Sequence, residues 1–579
     1  MIKKNNKNMN QKSFYFEDYS DNLKEQTNKK KLNINEDRIY LLFFVFFSLI
    51  FIFAIKIFVT SLYDANYKNN NIFNNSNTFK PLRSDIYDRN GLPIAKNIRV
   101  YHAAIKPNLI KNKKNLILKL KLIYPDINAV NLRNKLNKNK YFYFKKNISE
   151  DERLKLWYLG EKGILFETTQ TRLYPHKNLF SHVIGQIDDD NNGISGLEKS
   201  FDEKLKFNKE AIQTTLDINL QFLIREELVK YNKIFKNQGS ASILMDINNG
   251  EILSMVSLPD FDINKREAIN DLNYINRASK AVYELGSVFK TFTLAGALNE
   301  GVVETTTEFQ NLPKNLTCAG RSIGEYDDKI PTNLTAEEIL IRSGNIGSVR
   351  IGQKIGIEKM KNFFQKIGIL SKIQFDIQEV GEPIPFKWGK CKLATASFGH
   401  GITTTLLQTA KGYSIITNGG FDVKPTLIKK VKNNEKKIQI LNSDVSEKIN
   451  PILRKIVSTK EGTANFANVN GYDVGGKTGT AQKSFNGEYS KNKINTFVAV
   501  FPITNPKYIL IVLLDEPKPN KEYVYHYRDG SGWKLKGTPY NTAGWTSVEI
   551  AGKIIEKIGP ILAINKIDFY DKYVVKKSD

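Results

Sequence analysis

Histidine and cysteine are scarce in this chain. Of 579 residues, 5 are His and 2 are Cys. The histidines (His102, His176, His182, His400 and His526) are scattered and make no metal-ligand spacing. Cys318 and Cys391 form no C-x-x-C pair and have no neighbouring His, which speaks against zinc. Outside the cytoplasm the two could pair, but spacing in sequence does not give separation in space. No strand–P-loop–helix arrangement appears, so no ATP-driven chemistry is indicated. Acidic residues are in the minority: 86 Lys and Arg against 60 Asp and Glu, a net charge of +26. That charge is spread along a Lys-, Asn- and Ile-rich chain. No basic stripe interleaved with aromatics stands out, so nucleic acid is not the expected partner.

Long apolar runs are also rare. One stands out, Ile39 to Val59, 21 residues whose single charge is Lys56 near the C-terminal end. It is long enough to span a bilayer as a helix, with Lys56 snorkelling to the interface. Residues 1–38 before it hold nine Lys or Arg. The positive-inside rule therefore puts the N-terminus in the cytoplasm and the rest across the membrane. The expected organisation is a cytoplasmic tail (1–38), a transmembrane helix (39–61), a first exported domain (62–210), a second (211–565) and a short tail (566–579). The first exported domain opens on an Asn-rich linker, residues 62–80.

Hydrophobic residues make up 41% of the chain, and 579 residues exceed one core, so two or three domains are expected. RSDIYDRNGLPIA, Arg83 to Ala95, reads as strand, Asn-Gly turn and strand. In the second exported domain, SASILMDINNGEILSMVSLP (Ser240 to Pro259) reads as a hairpin around Asn248-Asn249-Gly250. A helical stretch follows over about 270–415. Three strands come next, between Tyr472 and Pro517, and then a final helix, TSVEIAGKIIEKIGPIL. The plan is α+β, with helices packed on an antiparallel sheet.

S-x-x-K occurs three times, at Ser287–Lys290, Ser490–Lys493 and Ser531–Lys534. The first copy opens SVFKTFTLAGALNEG, whose apolar spacing predicts a helix starting at Ser287 and stopping near Gly301. One turn separates the serine from the lysine, so both share a face. The free N–H groups and dipole of a first turn favour an oxyanion there. Lysine serves as a base only when neutral, which calls for a neighbouring cation together with partial burial. Lys477, in GGKTGTAQ, is the candidate cation. There Thr478 and Thr480 offer hydroxyl and N–H groups, and Gly479 is expected to leave a strand edge clear for a substrate backbone. Between the two lies IRSGNIGSVRIG, where Ser343 and Asn345 form S-x-N. A literal S-D-N at Ser20 precedes the anchor and falls on the wrong side of the membrane.

S-x-x-K, S-x-N and K-T-G in this order resemble the penicillin-recognising serine transferases. The wider resemblance is to class B penicillin-binding proteins. RSDIYDRNGLPIA resembles the box that opens their N-terminal pedestal (dimerisation) domain, with Ser84 where glycine is usual. RLYPHKNLFSHVIG resembles their R-x-Y-P…H-x-x-G segment, and GISGLEKSFD their G-x-x-G-x-E. TLDINLQ resembles the entry to their transpeptidase domain, and SFGHGITTTLLQTA their G-x-G…T-P-L-Q-x-A stretch. The resemblance covers about residues 39–565. It implies a pedestal followed by a serine β-lactamase-like transpeptidase domain. Within the family the septal, division-specific type is the nearest likeness, and the elongation-specific paralogue shares the same architecture.

The implied reaction is D,D-transpeptidation of peptidoglycan. Ser287 would be acylated by a D-Ala-D-Ala stem peptide, with Lys290 taking its proton. Ser343 would pass a proton to the departing amine, and Asn345 would bind Lys290 and the substrate amide. Lys477 and Thr478 would orient the terminal carboxylate. The N–H groups of Ser287 and Thr480 would form the oxyanion hole. An amine of a second stem peptide would then resolve the acyl-enzyme. The resemblance implies no metal or cofactor, β-lactams as inhibitors, and a polytopic glycosyltransferase and other divisome membrane proteins as partners. A D,D-carboxypeptidase or β-lactamase of the same fold, and a non-catalytic divisome scaffold, are the competing readings. Three further features depart from the pattern. Leu285 and Leu406 stand where the family often has proline, so the turn into Ser287 is expected to be less pre-set. Residues 518–543 read as an enlarged, mobile surface loop.

Overall fold

The computed structural model of the protein describes residues 36–69, 83–207, 211–265, 272–318, 320–430, 437–485 and 488–574. The expected tail before residue 36 and the Asn-rich stretch at 70–82 lie outside the described residues. Helix α1 (Glu36–Asn69) overruns both ends of the expected span. Its Tyr40–Val59 stretch has a mean hydropathy of 2.8. Among the described residues, it is the one helix long and apolar enough to cross a membrane.

Residues 81–579 form a separate compact unit. Its first part is a sheet of β1 (Ile86–Tyr87), β2 (Pro93–Ile105), β3 (Phe142–Ile148), β4 (Ile164–Leu173) and β5 (Ile212–Gln213). The Asn-Gly turn folds β1 onto β2 as the sequence predicts, pairing Ile86 with Ala95. An outer lobe packs around Ala103, Leu120 and Leu136 as a core of its own. By contrast, Ile86, Ile94 and Tyr174 belong to a core that continues into the second domain through Leu220 and Met255.

The three pedestal boxes converge on one buried carboxylate. Glu198 takes Arg83 Nε on one oxygen at 2.5 Å and Arg172 Nε on the other at 2.8 Å. Tyr174 adds its hydroxyl at 3.2 Å, and Asp202 takes a second Arg83 nitrogen at 2.7 Å. Two guanidiniums against two carboxylates balance charge where the side chains of Arg83 and Glu198 are wholly inaccessible. That balance, with every charge hydrogen-bonded, is what permits burial of ions.

The second domain begins with α2 (Ile218–Phe235), capped by Asp217, whose side chain accepts from Asn219 N and Leu220 N. Gln221 in its first turn is buried; it bonds Leu179 O, Met255 O and N, and Ser254 Oγ. The TLDINLQ entry box is therefore both a helix cap and a bridge to the pedestal. β6 (Gly239–Asp246) and β7 (Ile252–Leu258) form the expected hairpin. The helical stretch includes α3 (Phe289–Asn299), a hairpin of β8 (Asn315–Cys318) and β9 (Arg321–Gly324), α4 (Asn345–Ile355), α5 (Lys390–Ala396) and α6 (Leu406–Thr417), and a further helix, α7 (Ser443–Ser458), lies beyond its expected end. β10 (Gly475–Phe485), β11 (Glu488–Phe501) and β12 (Tyr508–Asp515) follow. The sheet runs β10-β11-β12-β6-β7, antiparallel throughout. Every residue of β12, YILIVLLD, is buried, because helices cover both faces of the sheet. β10, the K-T-G strand, is left at the edge.

Two expectations change here. Residues 518–543 are not a free loop: they carry the hairpin β13 (Val524–His526) and β14 (Lys534–Lys536). Tyr525 is fully buried and donates to Trp545 O at 2.6 Å. Tyr523 donates to Glu549 at 2.8 Å on the last helix, α8 (Ser547–Val574). That helix runs through the boundary at 566 expected for a tail. Cys318 and Cys391, left open by sequence, are joined in a disulfide with Cα atoms 5.5 Å apart. It fastens the end of β8 to α5.

Candidate active site

Ser287 does not open the α-helix. It lies in a single 3-10 turn, Gly286–Val288, and α3 begins two residues later at Phe289. Leu285 enters that turn at φ −97°, outside the range proline allows, and its side chain is buried. The entry is set by backbone packing instead. A Cβ on Gly479 would come within 2.2 Å of Leu285 O, and one on Gly399 within 2.0 Å of Gly286 O. Gly286 itself has φ +54° and faces Thr480 O. The turn is thus pressed onto the open edge of β10. The missing side chain of Gly479 leaves the room into which that turn fits. Leu406 is the first residue of α6, where proline's missing N–H would cost nothing, and Thr405 caps that helix with Gln408.

Four of the sequence-predicted residues meet in one buried cluster. Lys290 Nζ donates to the Ser343 carbonyl, to Ser343 Oγ at 3.3 Å and to Asn345 Oδ1 at 2.7 Å. Lys477 Nζ donates to the same Ser343 Oγ at 2.8 Å and to Thr478 O at 3.1 Å. Ser343 holds this place at φ +58°, a left-handed conformation unusual for serine. Ser287 is half-buried, and its Oγ makes no hydrogen bond to another described residue.

Burial pulls the Lys290 amine down to about 7, against the opposing charge of Glu325. Burial and the charge of Lys290 together hold Lys477 well below the ordinary lysine range. Desolvation therefore does for Lys290 what Lys477 was expected to do, and the repulsion falls on Lys477 instead. Lys477 is wholly inaccessible and turned onto Ser343 rather than into open cleft. Thr478 Oγ1 bonds Thr463 Oγ1 at 2.7 Å, and Thr480 Oγ1 accepts from Ala543 N at 2.9 Å.

The other S-x-x-K pairs have other duties. Lys493 donates to Asn541 O, and Ser531 to Asp529. Sequence reasoning missed four contributors. Thr463 comes from a loop and Ala543 from a 3-10 turn, and neither carries a spacing signal. His400, between the glycines of GHG, lies close enough to Lys290 that burial and that charge lower it to about 4. Glu325, just after β9, accepts from the N–H groups of Asn345 and Ile346.

Comparison with known proteins agrees with this geometry. Residues 240–530 match the penicillin binding protein transpeptidase domain, and residues 78–233 the penicillin-binding protein dimerisation domain. The chain is 29% identical over 502 residues to a probable peptidoglycan D,D-transpeptidase FtsI of Caulobacter vibrioides, covering 84% of this chain and 82% of that protein. It is 28% identical over 490 residues to the peptidoglycan D,D-transpeptidase FtsI of Buchnera aphidicola, covering 76% and 83%. It is 29% identical over 487 residues to the stage V sporulation protein D of Bacillus subtilis, covering 76% and 75%. The crystal structure of a peptidoglycan synthetase from Bifidobacterium adolescentis superposes with a TM-score of 0.62 at 19% identity, over 84% of this chain and 96% of that one. That likeness speaks for the fold. A dimerisation domain followed by a transpeptidase domain, with the serine, two lysines and S-x-N gathered at one edge, makes this chain a member of the class B penicillin-binding proteins, peptidoglycan D,D-transpeptidases that work through an acyl-serine.

Proposed function

We propose that Ser287 is the acylated serine and Lys290 its base. The observation that carries this is the junction of Lys290, Lys477 and Asn345 on Ser343. With its amine near neutrality at about 7, Lys290 takes the Ser287 hydroxyl proton as Oγ attacks the penultimate D-Ala carbonyl of a stem peptide. The ester C–O bond forms and the C–N bond to the last D-Ala breaks. Lys290 passes the proton through Ser343 Oγ to the leaving amine. An amine of a second stem peptide then attacks the ester, its proton returns by the same route to Ser287, and a cross-link closes. Backbone N–H groups of Ser287 and Thr480 face the developing oxyanion. Thr478 and Thr480 orient the donor's carboxylate, with Lys477 acting behind them. This chemistry asks for no metal or organic cofactor.

The physiological reading is septal cross-linking during division, supported by the similarity to the two proteins named FtsI. The chain would sit in the inner membrane through Tyr40–Val59, with a cytoplasmic N-terminus and its catalytic domain in the periplasm. Domains at about 62–210 and 211–565 would serve as pedestal and catalyst. A polytopic glycosyltransferase and other divisome membrane proteins are the proposed partners. Full-length protein in detergent should label covalently with a fluorescent penicillin, and Ser287→Ala should not label. Depletion should give filamentous cells; round cells would move the protein to elongation.

A further inference from the structure

Glu325 belongs to none of the motifs, yet it touches the catalytic cluster from outside. Its Oε2 accepts from Asn345 N at 2.6 Å and its Oε1 from Ile346 N at 2.9 Å. These are the first two N–H groups of α4, which have no partner inside the helix. The N-cap, Gly344, makes no side-chain cap bond. One residue earlier, Gly324 O accepts from Asn345 Nδ2 at 2.8 Å. The β8–β9 hairpin therefore holds both the backbone and the amide nitrogen of Asn345. That leaves Asn345 Oδ1 facing Lys290 Nζ at 2.7 Å. A flipped amide would present a donor to a donor.

Charge points the same way. The ionisable groups facing Lys290 are Glu325 from this hairpin, Lys477 from β10 and His400 from the loop after α5. The phenol of Tyr413, on α6, is turned to Val288 O at 2.7 Å. Glu325 is the one acid among them. The hairpin is itself fastened to α5 by the Cys318–Cys391 disulfide.

We propose that Glu325 is a positioning residue of the transpeptidase, which fixes Asn345 with its oxygen on Lys290 and supplies the negative charge that counters the burial of that amine. This rests on Lys290 acting as the base for Ser287, which Ser287→Ala labelling tests separately.

The test is the rate of Ser287 acylation by a fluorescent penicillin against pH, in full-length protein whose labelled fraction is measured first. Glu325→Gln keeps the shape, removes the charge and loses one acceptor. Its plateau rate should fall about tenfold, the scale of a lost charge-assisted hydrogen bond. Its ascending limb should move to lower pH, because the ammonium form of Lys290 loses its acid. Glu325→Asp keeps the charge and should leave the limb nearer the wild-type position. An unmoved limb in Glu325→Gln reduces Glu325 to a helix cap and overturns the proposal. So does an unchanged plateau. If wild-type protein does not label at Ser287, the proposed function itself fails, which is a different result from either.

Discussion

Lys477 Nζ and Lys290 Nζ both donate to one atom, Ser343 Oγ, at 2.8 and 3.3 Å. Two buried amines converge on one hydroxyl. They cannot both be comfortably charged there, and burial settles the matter by lowering both.

Acylation should therefore rise with pH through a limb near 7, where the Lys290 ammonium gives way to the amine. A buried lysine whose folded value lies below its unfolded one of 10.5 binds fewer protons when folded. Its penalty is full below the folded value and fades as pH climbs to the unfolded one. Over that window stability should increase with pH. Labelling rates and urea melts between pH 6 and about 9 check both statements.

Lys290→Met should be inactive and yet more stable, by about 1–3 kcal/mol, because it removes a desolvated amine at similar length. Equal or lower stability in a denaturant titration would show that the bonds to Ser343 and Asn345 outweigh the desolvation.

Glu198→Gln should cost about 3–5 kcal/mol, since it leaves Arg83 and Arg172 facing one another without their shared anion. Thermal melting should show the loss, and a drop of only a degree or two would mean that water or Asp202 takes over.

The disulfide closes a separation of 73 residues, which a chain-entropy argument values at about 4 kcal/mol. Cys318→Ser with Cys391→Ser should lower stability by up to that amount. It should also slow acylation, since the β8–β9 hairpin carries the contacts to Asn345. An unchanged acylation rate would separate the staple from the site.

Leu285→Pro, which restores the family pattern, should not speed acylation. The native φ of −97° is about 30° from proline's preferred value. A shift of the Leu285 carbonyl against Gly479 should slow it instead, read as the labelling rate at saturating penicillin.

Much of the site was legible because its chemistry is local. Ser287 and Lys290 lie one turn apart, K-T-G falls on a strand, and Ser343 and Asn345 flank a helix start. The three pedestal boxes and the Asn-Gly turns were legible for the same reason: each is a short signal with a fixed backbone need. What was not legible depends on long-range packing. Leu285 looked like a loosened entry, but its carbonyl rests on Gly479, almost two hundred positions away in sequence. Glu325 belongs to no motif, and only the fold brings it, just after β9, onto the start of α4. The 518–543 segment looked mobile because its Tyr and Gly content does not reveal that Tyr525 is buried against Trp545.

The sequence by itself determined the apolar helix, the order of the domains, the strand and helix plan and the candidate side chains of the site, since these follow from composition, period and spacing. The tertiary structure decided which charges are buried together. Lys290 is brought to about 7 by desolvation, and desolvation is a property of what surrounds a group in space, not of its neighbours along the chain.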